Sequence, residues 1–279
     1  MAMVINTNVA SINTQRRLTD TNNALSVSMQ RLSSGLRVNS ARDDAAGLAI
    51  ANGMTSQIRG MGVAIRNAND GISLAQTAES AMGVITDTMQ RMRDLSVQAA
   101  NTGAVSDSDR QKLQTEFKQL NDELNRVVKN TEFNGKKILN GSLSGGVDFQ
   151  IGANTAADNQ IAIDIANVSD TLADVAAASI GSGASGADVL SAINVIDAAI
   201  KGIDTARAKL GAVQNRFTTT ISNLQASVEN QSAARSRIVD TDFAMETAAL
   251  SRNRILQQAG TAMLSQANQS PNAVLGLLR

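Results

Sequence analysis

The chain has 279 residues, 25 Lys+Arg against 25 Asp+Glu, and no Cys, His, Trp or Tyr. Without Cys or His there is no disulfide, thiolate nucleophile, imidazole base, Ser-His-Asp triad or zinc site of the usual ligand set. Zero net charge and only five Phe give no global attraction to nucleic acid or an anionic membrane, and no base-stacking platform. The charge is unevenly spread. Residues 1–50 and 235–279 each hold five Arg against three acids, whereas 51–234 hold 15 basic against 19 acidic residues. The two ends are alike, which hints that they belong together.

The N-terminal segment is helical in pattern but thinly apolar. Ile5, Val9 and Ile12 make one short stripe, and Leu25, Met29, Leu32 and Leu36 make another. Such stripes are marginal alone in water and imply a partner. MAMVINTNVA has no basic n-region and no continuous apolar run, so no cleaved signal peptide is expected. From Ile58 the steps of 3 and 4 through Met61, Ile65, Ala68, Ile72 and Ala75 predict a helix of roughly 40 residues. Its phase slips near Ala78, resumes at Met82, Ile85, Met89 and Met92, and stops at Asn101, Thr102 and Gly103. Ser108 with Gln111 then reads as a capping box, opening a helix through Leu113, Phe117, Leu120, Leu124 and Val127.

Residues 131–168 change period. Asn134-Gly135 and Asn140-Gly141 are hairpin-turn signals, and Val147, Phe149, Ile151 and then Ile161, Ile163, Ile165 alternate by two. One or two small β-hairpins are expected. Residues 176–187 read as a loop of small residues. A heptad helix follows, Ile193, Ile196, Ile200, Ile203, Leu210, Phe217, Ile221, Leu224 and Val228, with Arg207 and Gln214 filling two gaps. Leu256, Ala259 and Met263 make a last narrow stripe, followed by the only proline, Pro271, and by Val274, Leu277 and Leu278. The expected fold is mainly α: an elongated multi-helix coiled-coil bundle with a small β-hairpin region.

Few motifs suggest chemistry. Gly181, Gly183 and Gly186 match G-x-G-x-x-G, but no hydrophobic strand precedes them and a heptad helix follows, so loop glycines explain them better. The adjacent pairs Asp43-Asp44 and Asp122-Glu123 point about 100° apart on a helix and form no catalytic dyad. Solvated faces and helix caps are the ordinary use of such pairs; for Asp43-Asp44, beside Arg42, polar pairing at an interface is the sharper option. The Asn-x-Ser sequons at Asn140, Asn167, Asn230 and Asn268 are about what chance supplies, and the methionines read as core filler. The terminal polar faces are not Lys-rich, which disfavours membrane-surface binding. Association with other helices is the natural use of such ends.

The strings INTNVASINTQRRL, QRLSSGLRVNSARDDAAGLAIA, RNANDGISLAQTAESAM, LGAVQNRF, SARSRIVDTDFAMET and ILQQAGTAMLSQAN, with a terminal LLR, resemble bacterial flagellin over about 1–165 and 190–279. The resemblance implies a structural subunit, not an enzyme, that polymerises into the helical flagellar filament for swimming. No cofactor is implied. Its N- and C-terminal helices pair in an inner core domain, 1–45 and 235–279, that orders on assembly. A helical bundle domain with a β-hairpin takes 46–175 and 188–234. Residues 176–187 stand where other flagellins carry outer domains, so this chain resembles a minimal member.

Assembly contacts implied for the inner domain are Ile5, Val9, Ile12, Leu25, Leu32, Leu256, Met263, Leu277 and Leu278. Arg31, Arg37, Arg42, Asp43 and Asp44 are candidates for polar pairing between subunits or within one. The segment QRMRDLSVQAAN resembles the one read by the animal Toll-like receptor for flagellin. Arg91, Leu95 and Glu116 match, while Asp94 stands where Glu is usual and the following loop is one residue longer. In the family this surface also lies between protofilament neighbours. Implied partners are the chain itself, an export chaperone, the filament cap, hook–filament junction proteins and that receptor. The expected location is the extracellular filament, reached through the flagellar type III pathway. A hook–filament junction protein is the alternative reading; it would not form long polymers alone.

Overall fold

The computed structural model describes the backbone of residues 7–275 and the side chains of residues 7–269. Ile5, Leu277 and Leu278 lie outside the described residues. The elements, in order, are α1 (Val9–Ser34), α2 (Ala45–Ala100), α3 (Asp107–Asn130), β1 (Glu132–Phe133), β2 (Lys136–Lys137), β3 (Val147–Gln150), β4 (Gln160–Ile163), α4 (Val168–Ala177), α5 (Gly186–Val239) and α6 (Phe243–Leu275). The fold is mainly α, with two small antiparallel hairpins. No helix among the described residues is long and apolar enough to cross a membrane. The chain divides into two compact units, 1–56 with 229–279, and 57–228; α2 and α5 contribute to both.

Unit 57–228 holds a large apolar core. Met82, Ile85, Met89, Met92, Leu124, Ile163, Ile196, Leu210 and Phe217 are buried there. In α2 a buried seam of Met61, Ala64, Ala68, Gly71, Ala75, Ala78, Met82, Ile85, Met89, Met92, Ser96 and Ala99 runs in steps of 3 and 4 without a break, with Leu74, Thr86 and Leu95 buried beside it. The expected phase slip is therefore absent. Small residues occupy the seam in the first half of this stretch and let neighbours approach closely, while the bulkier Ile65 and Ile72 flank it, only partly buried. Likewise Ala206, rather than Arg207, takes the seam position in α5.

Helix ends follow local hydrogen-bonding chemistry. α3 begins two residues earlier than the Ser108–Gln111 expectation: the Ser106 hydroxyl accepts from the Asp109 amide at 3.2 Å and donates to its carboxylate at 2.7 Å. Asp107 and Asp109 then lie in the first turn, where the helix dipole favours negative charge. α5 begins inside the expected loop because Ser185 and Asp188 cap reciprocally, Ser185 N donating to Asp188 Oδ2 at 2.8 Å and Asp188 N to Ser185 Oγ at 3.3 Å. α4 was not expected. Val168, Leu172 and Val175 bury one stripe, and Asn167, one of the sequons, caps it through Ser169 N at 3.1 Å.

The first hairpin turns at Asn134-Gly135, whose positive φ of 50° and 75° suit a two-residue turn. The second pairs Val147 with Ile163 and Phe149 with Ile161. Phe149 meets Phe217 edge-on, ring centroids 5.9 Å apart. Asn140-Gly141 does not join paired strands: Asn140 Oδ1 accepts from Ser142 N at 3.1 Å and bends the chain between β2 and β3.

Candidate assembly surface

Unit 1–56 with 229–279 is built on α1 lying antiparallel to α6. Asn8 caps α1 through Ser11 N at 3.0 Å and donates from Nδ2 to Ala267 O at 2.7 Å. Ser11 Oγ bonds Asn268 Oδ1 at 2.6 Å, Gln257 donates to Asn22 Oδ1 at 2.8 Å, and Arg31 Nη1 lies 3.6 Å from Glu246 Oε2. These contacts fix the register along the pair with polar groups. Gly35, at φ 72°, ends α1 in the left-handed conformation, and its carbonyl accepts from Thr241 N at 3.0 Å. Arg37 closes the same end, its amide and Nη2 reaching Val239 O and Ile238 O, each at 2.6 Å.

Apolar burial in this unit is slight. Val38, Ala51 and Val239 are its buried hydrophobic residues among those described, and the buried Ser11 and Ser28 are polar. Leu18, Leu25, Leu32, Leu250 and Leu264 are half-buried, while Val9, Ile12, Val27, Met29, Ile50, Phe243, Met245, Ile255, Leu256 and Met263 are exposed, Met245 at 74% and Ile255 at 66%. Leu18, Leu256, Ala259, Gly260 and Met263 line an open groove of about 620 Å³ between α1 and α6. A monomer rarely leaves this much apolar surface uncovered without a partner for it.

Of the residues singled out from sequence, Val9, Ile12, Leu256 and Met263 thus lie on the exposed apolar surface, while Leu25 and Leu32 are half-buried. The polar candidates divide. Arg31 and Arg37 have partners within the chain, as described above. Asp43 Oδ2 accepts from Ser40 N at 2.8 Å, Ser40 Oγ at 2.9 Å and Asn39 N at 3.2 Å. The Ser40 hydroxyl, first among these donors, holds the Asp43 carboxyl below its ordinary value. Asp44 Oδ1 accepts from Gly47 N at 2.8 Å and starts α2. Arg42 is exposed. Asp43 and Asp44 are thus turn and helix caps, the ordinary use expected of such a pair. The exposed Phe243, Met245 and Ile255 were missed because they fall off the one stripe traced along the last helix.

The second surface lies in unit 57–228. Arg91 on α2 donates from Nε and Nη2 to one oxygen of Glu116 on α3, at 3.0 and 2.7 Å, and both side chains are well exposed. Two residues on, Arg93 Nε reaches Asp197 of α5 at 2.6 Å. Leu95 corrects the expectation of a surface contact: it is 1% exposed, buried on α2 beside Ser96 of the seam. It supports the helix carrying Arg91 from beneath. No group of three or more acidic residues among those described is placed to hold a metal ion.

Comparison with known proteins supplies the remaining finding. Residues 5–144 match the bacterial flagellin N-terminal helical region, and residues 193–278 match the bacterial flagellin C-terminal helical region. The chain is 40% identical to flagellin B of Vibrio anguillarum over 377 aligned positions covering the whole of both chains. It is 45% identical to the flagellin of Bacillus subtilis strain 168 over 315 positions, 99% of this chain and all of that one. Among solved structures, the crystal structure of Bacillus cereus flagellin superposes with a TM-score of 0.50 at 28% identity, over 61% of this chain and 94% of that one. A putative flagellar hook-associated protein from Vibrio parahaemolyticus shares the fold, with a TM-score of 0.59 at 15% identity, over 71% and 100%.

Proposed function

The chain belongs to the bacterial flagellin family, and from that we propose a filament subunit whose α1–α6 pair is completed by neighbouring copies of the same chain. Flagellins are structural proteins of the flagellar filament and serve motility; they are not enzymes. The observation that carries the finer reading is the exposed apolar surface of α1 and α6, Val9, Ile12, Ile255, Leu256 and Met263, in a unit with almost no core of its own. Repeated copies that contact each other through unlike surfaces build an open helical polymer. Residues 1–45 and 235–279 then form the inner filament domain, 46–175 and 188–234 the bundle domain, and 176–187 the short crossover between its halves.

Folding of the terminal pair is coupled to assembly, because the covering that stabilises it comes from other subunits. A loosely held pair also suits export through the flagellar type III channel, with an export chaperone, the filament cap and the junction proteins as successive partners. The exposed Arg91–Glu116 pair supports a second role, as part of the surface read by the animal Toll-like receptor for flagellin. Arg91→Ala should weaken activation in a receptor reporter assay; unchanged signalling would remove this role.

Seeded polymerisation of purified subunit, viewed by electron microscopy with circular dichroism before and after, tests the main reading. Long filaments with a gain in helix are expected. A helical chain that never elongates from seeds would instead favour the hook–filament junction reading.

A further inference from the structure

Of the eight described methionines, Met54 on α2 is half-buried, and the other seven divide by environment. Met61, Met82, Met89 and Met92 are buried in unit 57–228, the last three completely. Met29, Met245 and Met263 are exposed, at 51%, 74% and 59%, and all three stand on the α1–α6 pair among its uncovered apolar residues. Met263 lines the groove with Leu18 and Leu256. The chain has no Cys to compete for a two-electron oxidant. Thioether oxidation follows exposure, so one polypeptide carries both a sensitive set and a shielded set.

We propose that Met29, Met245 and Met263 form an oxidation-sensitive gate on assembly, with hydrogen peroxide as the class of oxidant; this rests on the assembly surface assigned above. In each step the thioether sulfur attacks a peroxide oxygen. An S–O bond forms as the O–O bond breaks, and sulfur gives two electrons to the peroxide. The expelled hydroxide takes the remaining peroxide proton and leaves as water. The sulfoxide replaces an apolar side chain with a strong, polar acceptor. Covering it with the apolar surface of a neighbour strips that oxygen of water without supplying a donor, which disfavours the contact. The free subunit is the vulnerable state, since assembly covers the same three sulfurs. Reduction of the sulfoxides by a methionine sulfoxide reductase reverses the gate.

The test uses the full chain, dosed with hydrogen peroxide until mass spectrometry of its peptides shows sulfoxide at Met29, Met245 and Met263. Seeded elongation is then timed. Elongation should fall at least tenfold, with Met82, Met89 and Met92 unmodified, and should recover after reductase treatment. In the M29L/M245L/M263L variant, which keeps an apolar side chain at each position, peroxide should leave the elongation rate within about twofold of that variant's own untreated rate. If that variant itself fails to elongate, recovery of the wild-type chain with reductase decides the matter alone. Undiminished elongation of the oxidised chain overturns the gate, as does equal modification of the buried methionines or loss without reductase recovery. Failure of the untreated chain to elongate overturns the assembly reading itself, and the gate with it.

Discussion

Single positions in the core respond according to the space around them. A Cβ at Gly71 would stand 2.8 Å from Cζ of Phe217, which is fully buried and also held by Phe149. Gly71→Ala should therefore destabilise by about 1–3 kcal/mol through overpacking, despite alanine's better helix propensity. A Cβ at Gly83, on the same helix, meets nothing within 4 Å, so Gly83→Ala should stabilise by about 0.5–1 kcal/mol. Urea unfolding of the two variants checks both signs. Exposed carboxylates set the acid response. Asp43 is held low by Ser40, Asp109 by Lys112 and Ser106, Glu123 by Arg126, Glu132 by Lys137 and Asp188 by Ser185. A lowered folded pKa contributes stability above the unfolded value, near about 4, and loses it as pH falls through the folded value. With no His in the chain, thermal stability should be flat from about pH 5.5 to 7 and decline below about pH 4.

Elements are held to one another by a few side chains that the sequence pattern did not mark. Arg110, 6% exposed on α3, donates from Nη2 to the carbonyls of Gly181 and Ala184 in the crossover before α5. Gln114 accepts from Ile180 N at 2.7 Å beside it. Arg110→Met leaves two carbonyls without that donor and should cost about 1–3 kcal/mol, with faster amide exchange across 178–186. Unchanged exchange there would mean that Ser185 and Asp188 hold the crossover alone. On the α1–α6 pair the expectation is the reverse. Ile255→Asp and Leu256→Asp alter exposed positions, so the melting of unit 57–228 should stay at the wild-type value while seeded elongation is lost. Normal filaments from either variant would remove these positions from the interface. Elements were legible where period and bulk agreed, as in α3 and at Ile196, Ile203, Leu210 and Phe217 of α5; between these, Ala192, Ala199 and Ala206 take the seam in place of Ile193, Ile200 and Arg207. The seam of α2 was misjudged because alanine and glycine carry its close approach, and α4 was overlooked because Val168, Leu172 and Val175 span so few turns.

At the scale of the whole chain, the two units differ in what holds them. One has a continuous core of buried Met, Ile, Leu and Phe; the other is a helix pair registered by polar contacts, with few buried apolar residues and many exposed ones. Local stability follows buried apolar contact, so heating the free subunit should give two transitions, the terminal pair first. The likeness of the two ends was visible in their matched charge and thin stripes, and the long strings shared with flagellins identified the family. Caps are the ordinary reading of Asp43-Asp44, but which amides they accept from, and that Leu95 is buried, depend on the folded backbone, which residue types alone do not fix. Amide hydrogen exchange in the free subunit and in seeded polymer tests the central claim most directly. The account predicts rapid exchange along α1 and α6 in the free chain and strong protection there in the polymer, with α3 and the Ile196–Phe217 stretch of α5 protected in both. Terminal helices already as protected as α3 in the free chain, or unchanged on polymerisation, would contradict it.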